Sequence, residues 1–182
     1  MGRGAFWRAM SRAKIVAAAG KLKTVKRQGW LDAGIPWQEV ESVADHSYRT
    51  ALMVALTARP GLDMTKALKM ALVHDIGEAS IGDLTPKSGV PRRKKASMEE
   101  AAVRRLGDDQ LLLFFREYQD GKTPEARLVS EMDVLERVAQ AREYEIRFPG
   151  KDLSRFQNDP KRPGQSSRAG TPAGWRKTKS TQ

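Results

Sequence analysis

The sequence predicts an all-α domain, a helical bundle of about five or six helices, followed by a disordered basic tail. Three observations carry this. Apolar residues recur at three- and four-residue spacing through most of the chain, and no stretch alternates as a strand would. The breaks between periodic segments fall on Gly and Pro. After Pro149 the composition shifts to Pro, Gly, Ser, Arg and Lys, which cannot bury a core. The expected organisation is a folded domain over residues 12–150 and a tail over 159–182, with Trp175 an unexplained aromatic within the tail.

In chain order, "AFWRAMSRAKIVAAAGKLK" reads as a first helix, firm from about Arg12. "RQGWLDAGIP" is a turn region punctuated by Gly29, Gly34 and Pro36. A second helix starts at Ser42 or Asp45, both good N-caps, and runs to Arg59, where "RPGLD" stops it. Asp63 caps a third, "MTKALKMALVHDIGEA". Gly82, Pro86, Gly89 and Pro91 mark residues 80–91 as a loop, with Thr85 placed either to touch a ligand or to steady the turn before Pro86. Helices near 95–106 and 108–119 flank Gly107, and Pro124 opens a long last helix, "PEARLVSEMDVLERVAQAREYEIR". "LLLFF" at 111–115 reads as core or a dimer face, and "PRRKK" at 91–95 as a solvated helix start.

Composition excludes several classes. With no cysteine, disulfides, thiolate zinc sites and thiol nucleophiles are impossible; the same absence fits a reducing cytoplasm. No apolar run approaches the roughly 18 residues of a membrane span. The net charge of +11 suggests nucleic acid at first sight. Yet residues 1–30 hold eight Lys and Arg and no acid, residues 159–182 hold six against Asp159 alone, and the stretch between is slightly acidic. The basic ends allow weak nucleic-acid contact. The Arg-rich start reads as a first helix rather than a transit peptide, because "IVAAAG" runs directly into "KLKTVKRQGW".

The chemistry gathers in "HDIGEASIGDLTP", residues 74–86. On a helical wheel Asp75 falls inside the stripe of Leu68, Ala71, Leu72, Ile76 and Ala79. A carboxylate there must be paired or bound to a cation; capping or pairing with a neighbouring helix would explain it equally well. His74 is adjacent, and Glu78 follows His74 by one turn. The chain has only two histidines, His46 and His74, each next to an aspartate at a helix end, which is better explained by shared ligation than by two isolated core histidines. A further ligand is needed, and Asp133, at the edge of the apolar face of the last helix, can supply it.

The ordered set His46, His74-Asp75, Asp133 resembles the H…HD…D signature of the HD-domain metal-dependent phosphohydrolases. "RQGW", "ESVADHSYR", "ALVHDIGEASIGDLTP" and "EARLVSEMDVLERVAQAREYE" are similar, more narrowly, to the 5′-deoxynucleotidase branch, over about residues 12–147. The resemblance implies a helical bundle in which His46, His74, Asp75 and Asp133 hold a divalent ion such as cobalt or manganese. It implies that Glu78 works on the attacking water, that Asp83 lies near the sugar and phosphate, and that Glu78 and Asp83 can hold a second ion, magnesium. It also implies that Arg27 binds phosphate and Trp30 packs on the nucleoside, although here "QG" separates a pair that is adjacent in some members. The family further suggests a homodimer.

The expected function is therefore metal-dependent hydrolysis of deoxyribonucleoside 5′-monophosphates to deoxynucleoside and phosphate, in the cytoplasm. The competing expectations are another HD phosphohydrolase, acting on a cyclic nucleotide, a nucleoside triphosphate or (p)ppGpp, and an inert HD scaffold that binds nucleic acid through its basic ends.

Overall fold

The computed structural model describes residues 3–57 and 59–157. Its helices are α1 (Arg3–Leu22), α2 (Gln28–Asp32), α3 (Val43–Leu56), α4 (Met64–Val73), α5 (Glu78–Ile81), α6 (Arg92–Arg105), α7 (Asp109–Asp120), α8 (Pro124–Arg147) and α9 (Ser154–Gln157), with a 3-10 turn at Pro86–Ser88. Six are ten residues or longer, and pairing between extended segments is limited, among the described residues, to one bridge between Lys26 and Ser42. The all-α expectation holds; the tail expected over 159–182, with Trp175, lies outside the described residues.

Capping sets the helix starts. Ser42 Oγ accepts from Asp45 N at 3.1 Å while Asp45 Oδ2 accepts from Ser42 N at 2.8 Å, so the two candidate caps of α3 act together as one capping box. Asp63, Asp108 and Thr123 cap α4, α7 and α8 through bonds to Lys66 N, Leu111 N and Ala126 N. Pro124 then occupies the first turn of α8, where its missing N–H costs nothing.

The main core forms where α3, α4, α7 and α8 meet, with Val54, Met70, Ala71, Leu128, Val129 and Met132 sealed from solvent. Each large side chain buried there contributes about 1.5–3 kcal/mol. A second cluster joins Trp30, Ile35 and Val40 to Ala141, Tyr144 and Leu153. A third sets Ile76 against Val103, Leu111, Leu112 and Phe115, so "LLLFF" is mostly core, with Leu113 exposed.

The structure corrects four element boundaries. The first helix is already formed from Arg3, and α3 stops at Leu56, before Arg59. The turn region after α1 contains the short helix α2. The third predicted helix is interrupted at residues 74–77: Ile76 N bonds Val73 O at 3.1 Å, Glu78 N bonds Asp75 O at 3.0 Å and Ser80 N bonds Gly77 O at 3.0 Å, all three residues back rather than four. This tightening re-aims the acids. It also ends the simple wheel, for Leu72 is 52 % exposed although the periodicity placed it in the apolar stripe.

Gly77 allows the break to sit close under α6. A Cβ there would lie 3.1 Å from Glu99 O and 3.4 Å from Glu99 Cα. Gly77→Ala is expected to cost about 1–3 kcal/mol by overpacking, more than the ~1 kcal/mol it gains in helix propensity. A lower melting temperature checks this.

Candidate metal centre and its cavity

His46 enters the site from the first turn of α3, fixed there by the Ser42–Asp45 box, and is fully buried. His74 and Asp75 come from the tightened turn after α4, and Asp133 from the middle of α8. His46 Nε2 lies 3.4 Å from His74 Nε2, 3.3 Å from Asp133 Oδ1 and 3.8 Å from Asp75 Oδ2. His74 Nε2 lies 3.3 Å from Asp75 Oδ2. The four residues singled out in the sequence therefore converge on one point.

Both imidazoles are oriented from behind. His74 Nδ1 is 2.7 Å from Ala71 O, and His46 Nδ1 is 2.5 Å from Glu136 Oε2. Each Nδ1 thus carries the proton toward an acceptor, and each Nε2 faces the shared point, as in metal-ligating histidines backed by a carbonyl or carboxylate. Donor atoms of His46, His74 and Asp75 all lie within 4.8 Å of one another. Two imidazole nitrogens with two carboxylate oxygens suit a divalent first-row ion, so the residues fit a metal.

The electrostatics follow from this crowding. Burial opposes ionisation of Asp75 and Asp133, but His74 and Arg27 beside the first, and His46 beside the second, hold both carboxyls well below the usual range. Burial and Arg27 oppose a charge on His46, yet Asp133 and Glu136 outweigh them and push it up to about 10. His74 is raised as well, because Asp75 overcomes its burial. An entering ion therefore displaces protons, which makes its affinity pH-dependent.

Around this point lies an open cavity of about 590 Å³, lined among others by Arg27, Asp75, Glu78, Asp83, Lys95 and Asp133. Arg27 Nη1 donates to Asp75 Oδ2 at 3.2 Å, and although burial disfavours its charge, Asp83, Asp75 and Glu78 hold the guanidinium firmly protonated. Glu78 is 3 % exposed. Its Oε1 lies 3.7 Å from Lys95 Nζ, while Oε2 has no partner. Burial, then Asp75 and Asp83, push its carboxyl well above the usual value against the pull of Arg27 and Lys95. Asp83 Oδ2 accepts from Gln28 N at 2.8 Å, and Thr85 Oγ1 donates to Asp32 Oδ2 at 2.8 Å; both residues line the cavity.

Trp30 stands apart from the other expected site residues. It is 2 % exposed, packs on Tyr144 and Phe156, and donates Nε1 to Glu41 Oε1 at 2.8 Å. Its backbone N donates to Arg27 O at 3.1 Å, and the ring is not among the residues that line the cavity.

Several residues escaped the sequence reading. Glu136, to which the sequence assigned no role, is fully buried; it bonds His46 and also accepts from Arg49 Nε at 2.9 Å and Nη2 at 2.7 Å. A signal existed, since Asp133, Glu136 and Gln140 form a polar line at three- and four-residue spacing along the helix. Tyr118 donates to Asp133 Oδ2 at 2.8 Å. Lys95, from the supposedly solvated "PRRKK", turns inward to Leu84 O, Glu78 and Glu99.

A helical bundle that converges two histidines and two aspartates beside an open cavity defines a class, the α-helical proteins with a His/Asp cluster able to hold a metal. Comparison with known proteins narrows it. A model of the HD domain family matches residues 19–170. The 5′-deoxynucleotidase hdd1 of Schizosaccharomyces pombe is 38% identical over 148 residues, 75% of this chain and 74% of that protein. The 5′-deoxynucleotidase HDDC2 of Dictyostelium discoideum is 39% identical over 141 residues, 69% of this chain and 73% of its own. Among solved structures, a conserved hypothetical protein from Pyrococcus furiosus superposes with a TM-score of 0.72 at 39% identity, covering 79% of this chain and 88% of that one. The PH0347 protein from Pyrococcus horikoshii gives 0.71 at 34% identity, covering 79% and 84%. This chain belongs to the HD domain family.

Proposed function

We propose that this protein is a metal-dependent phosphomonoesterase that hydrolyses deoxyribonucleoside 5′-monophosphates to deoxynucleoside and phosphate. The carrying observation is the placement of Glu78, buried with a free carboxylate oxygen, in the same cavity as Asp75, Asp133 and Arg27. The names of the relatives support the substrate class, and a cavity of about 590 Å³ is of a size to take a nucleotide.

His46, His74, Asp75 and Asp133 would hold a divalent ion, cobalt or manganese, which supplies charge that lowers the pKa of water and neutralises a phosphate oxygen. Arg27 orients the ester by donating charge-assisted hydrogen bonds to other phosphate oxygens. Glu78 takes the proton of the attacking water, a task suited to a carboxyl whose pKa burial has raised. Water attacks phosphorus, the bond from phosphorus to the 5′ oxygen breaks, and the proton taken up by Glu78 is relayed through Asp83 to the departing alkoxide. Asp83 and Thr85 contact the sugar, and Glu78 with Asp83 can hold a magnesium ion. Lys95 Nζ lies between Glu78 and Glu99, so the acid wall of the cavity is partly neutralised in place.

The hydrolase domain occupies residues 12–150, and the basic tail plays no part in turnover. Among the described residues no helix is long and apolar enough to cross a membrane; the cytoplasm is the compartment expected for such an enzyme. For a homodimer, exposed Tyr48, Leu52 and Leu56, four residues apart on α3, offer an apolar face, and light scattering tests it.

Phosphate release from a panel of 5′-mono-, tri- and cyclic nucleotides and (p)ppGpp, with cobalt or manganese supplied, tests the function. Release confined to the deoxymonophosphates supports it, and metal-loaded protein inert toward every one of them overturns it. Glu78→Gln keeps the shape of the side chain and removes its proton transfer. It is expected to lower kcat by roughly 10²–10⁴-fold, with content of the tightly held metal unchanged.

A further inference from the structure

Arg137 follows Asp133 by four residues on α8, about 6 Å further along the axis and on the same face. It lines the same cavity as Arg27, Asp75, Glu78 and Asp133. Its Nε and Nη2 are shielded from solvent, and neither meets a protein acceptor. These two nitrogens form the edge of the guanidinium that matches two oxygens of a carboxylate or phosphate.

Other arginines of the molecule use that edge on carboxylates. Arg49 donates Nε and Nη2 to Glu136 at 2.9 and 2.7 Å, and Arg116 does so to Glu100 at 3.1 and 2.6 Å. The acids nearest Arg137 in sequence are committed elsewhere. Glu136 serves His46 and Arg49, and the oxygens of Asp133 face His46 and Tyr118. Two shielded donors of a guanidinium without an acceptor are costly, and an anion that enters the cavity recovers that cost.

We propose that Arg137 binds the substrate's phosphate, its Nε–Nη2 edge taking two non-bridging oxygens, so that Arg27 and Arg137 grip the dianion as a pair. This rests on reading the cavity as a phosphomonoesterase site. A nucleobase edge is neutral and compensates a buried cation less well than a dianion. Arg137 also lines the cavity one helical turn from Asp133, beside which the phosphate must lie for attack.

The test is titration of inorganic phosphate into metal-loaded full-length protein by calorimetry, for wild type, Arg137→Met and Arg137→Lys, with metal content and melting temperature measured on each. Arg137→Met is expected to weaken phosphate binding roughly 10- to 100-fold, the loss of a charge-assisted pair. Arg137→Lys, which keeps the charge and loses the fork, falls between, and it covers the case in which the methionine variant does not fold. Metal content stays unchanged in both. Phosphate affinity within twofold of wild type in the variants overturns the proposal, and so does a loss of phosphate binding that tracks a loss of metal, since that marks support of Asp133. Wild-type protein that binds phosphate while both variants match it fails this inference alone; wild-type protein that neither binds phosphate nor releases it from any ester fails the enzymatic reading too.

Discussion

Asp75→Ala is expected to yield a protein that retains no divalent metal and releases no phosphate from any nucleotide. One oxygen, Asp75 Oδ2, lies 3.2 Å from Arg27 Nη1, 3.3 Å from His74 Nε2 and 3.8 Å from His46 Nε2. Its removal takes away a candidate ligand, leaves Asp133 as the remaining carboxylate beside His46 Nε2, and frees Arg27 from its fixed pose. The ion's share of transition-state stabilisation is several kcal/mol, so the loss in kcat/KM is on the order of 10³-fold or more. Elemental analysis of the purified variant and a phosphate-release assay check the two halves separately. Wild-type metal content would remove Asp75 from the ligand set, and full activity without metal would overturn the mechanism. Arg27 keeps Asp83 and Glu78 as neighbouring charges, so the fold survives and the result is readable.

Glu136→Ala is expected to have the largest effect on stability. The carboxylate is fully buried and satisfied on both oxygens, one by His46 Nδ1 at 2.5 Å and the other by Arg49. Truncation strands a buried imidazole N–H and removes the main partner of Arg49, which retains Glu143 and Gln140. Breaking a buried pair in this way costs about 3–5 kcal/mol, read as a fall in melting temperature. Metal affinity is expected to fall about 10- to 100-fold, because His46 loses the group that fixes its tautomer. The pH dependence has a definite sign. His46, then Arg49, hold the Glu136 carboxyl below its ordinary 4.5 against its burial. Its contribution is present above that value and is lost as pH falls through the lowered folded value. The gap in melting temperature between wild type and variant therefore narrows in acid. A gap that widened below pH 4.5 would contradict the role given to Glu136.

Three of the candidate metal ligands stand out in the sequence because each carries a local anomaly. Asp75 breaks an apolar stripe, and His46 and His74 are the chain's two histidines, each beside an acid. The helices were legible from period and caps, and Ser42, Asp63 and Pro124 all perform as their residue types require. The break at residues 74–77 was not, because it arises from the approach of α6 over Gly77, a contact between segments more than twenty residues apart. Trp30 was misplaced for the same kind of reason. Its neighbours Tyr144 and Phe156 lie over a hundred residues away, and nothing in "RQGW" announces them. Glu136 and Arg137 went unremarked because periodicity separates apolar from polar positions; it does not tell an exposed acid such as Glu143 from a buried one.

The longest of the described helices also fixes a timetable. α8 contributes Asp133, Glu136 and Arg137, and it begins only at Pro124. A chain growing from its N-terminus has made His46, His74 and Asp75 well before these residues exist. The carboxylate that orients His46 is ninety positions away from it in sequence. Contacts of such separation are slow to form and complete a fold late. Ribosome-bound chains arrested before residue 124 should thus take up metal no better than an unfolded chain, and loading of the ion becomes a checkpoint that follows synthesis of the whole bundle.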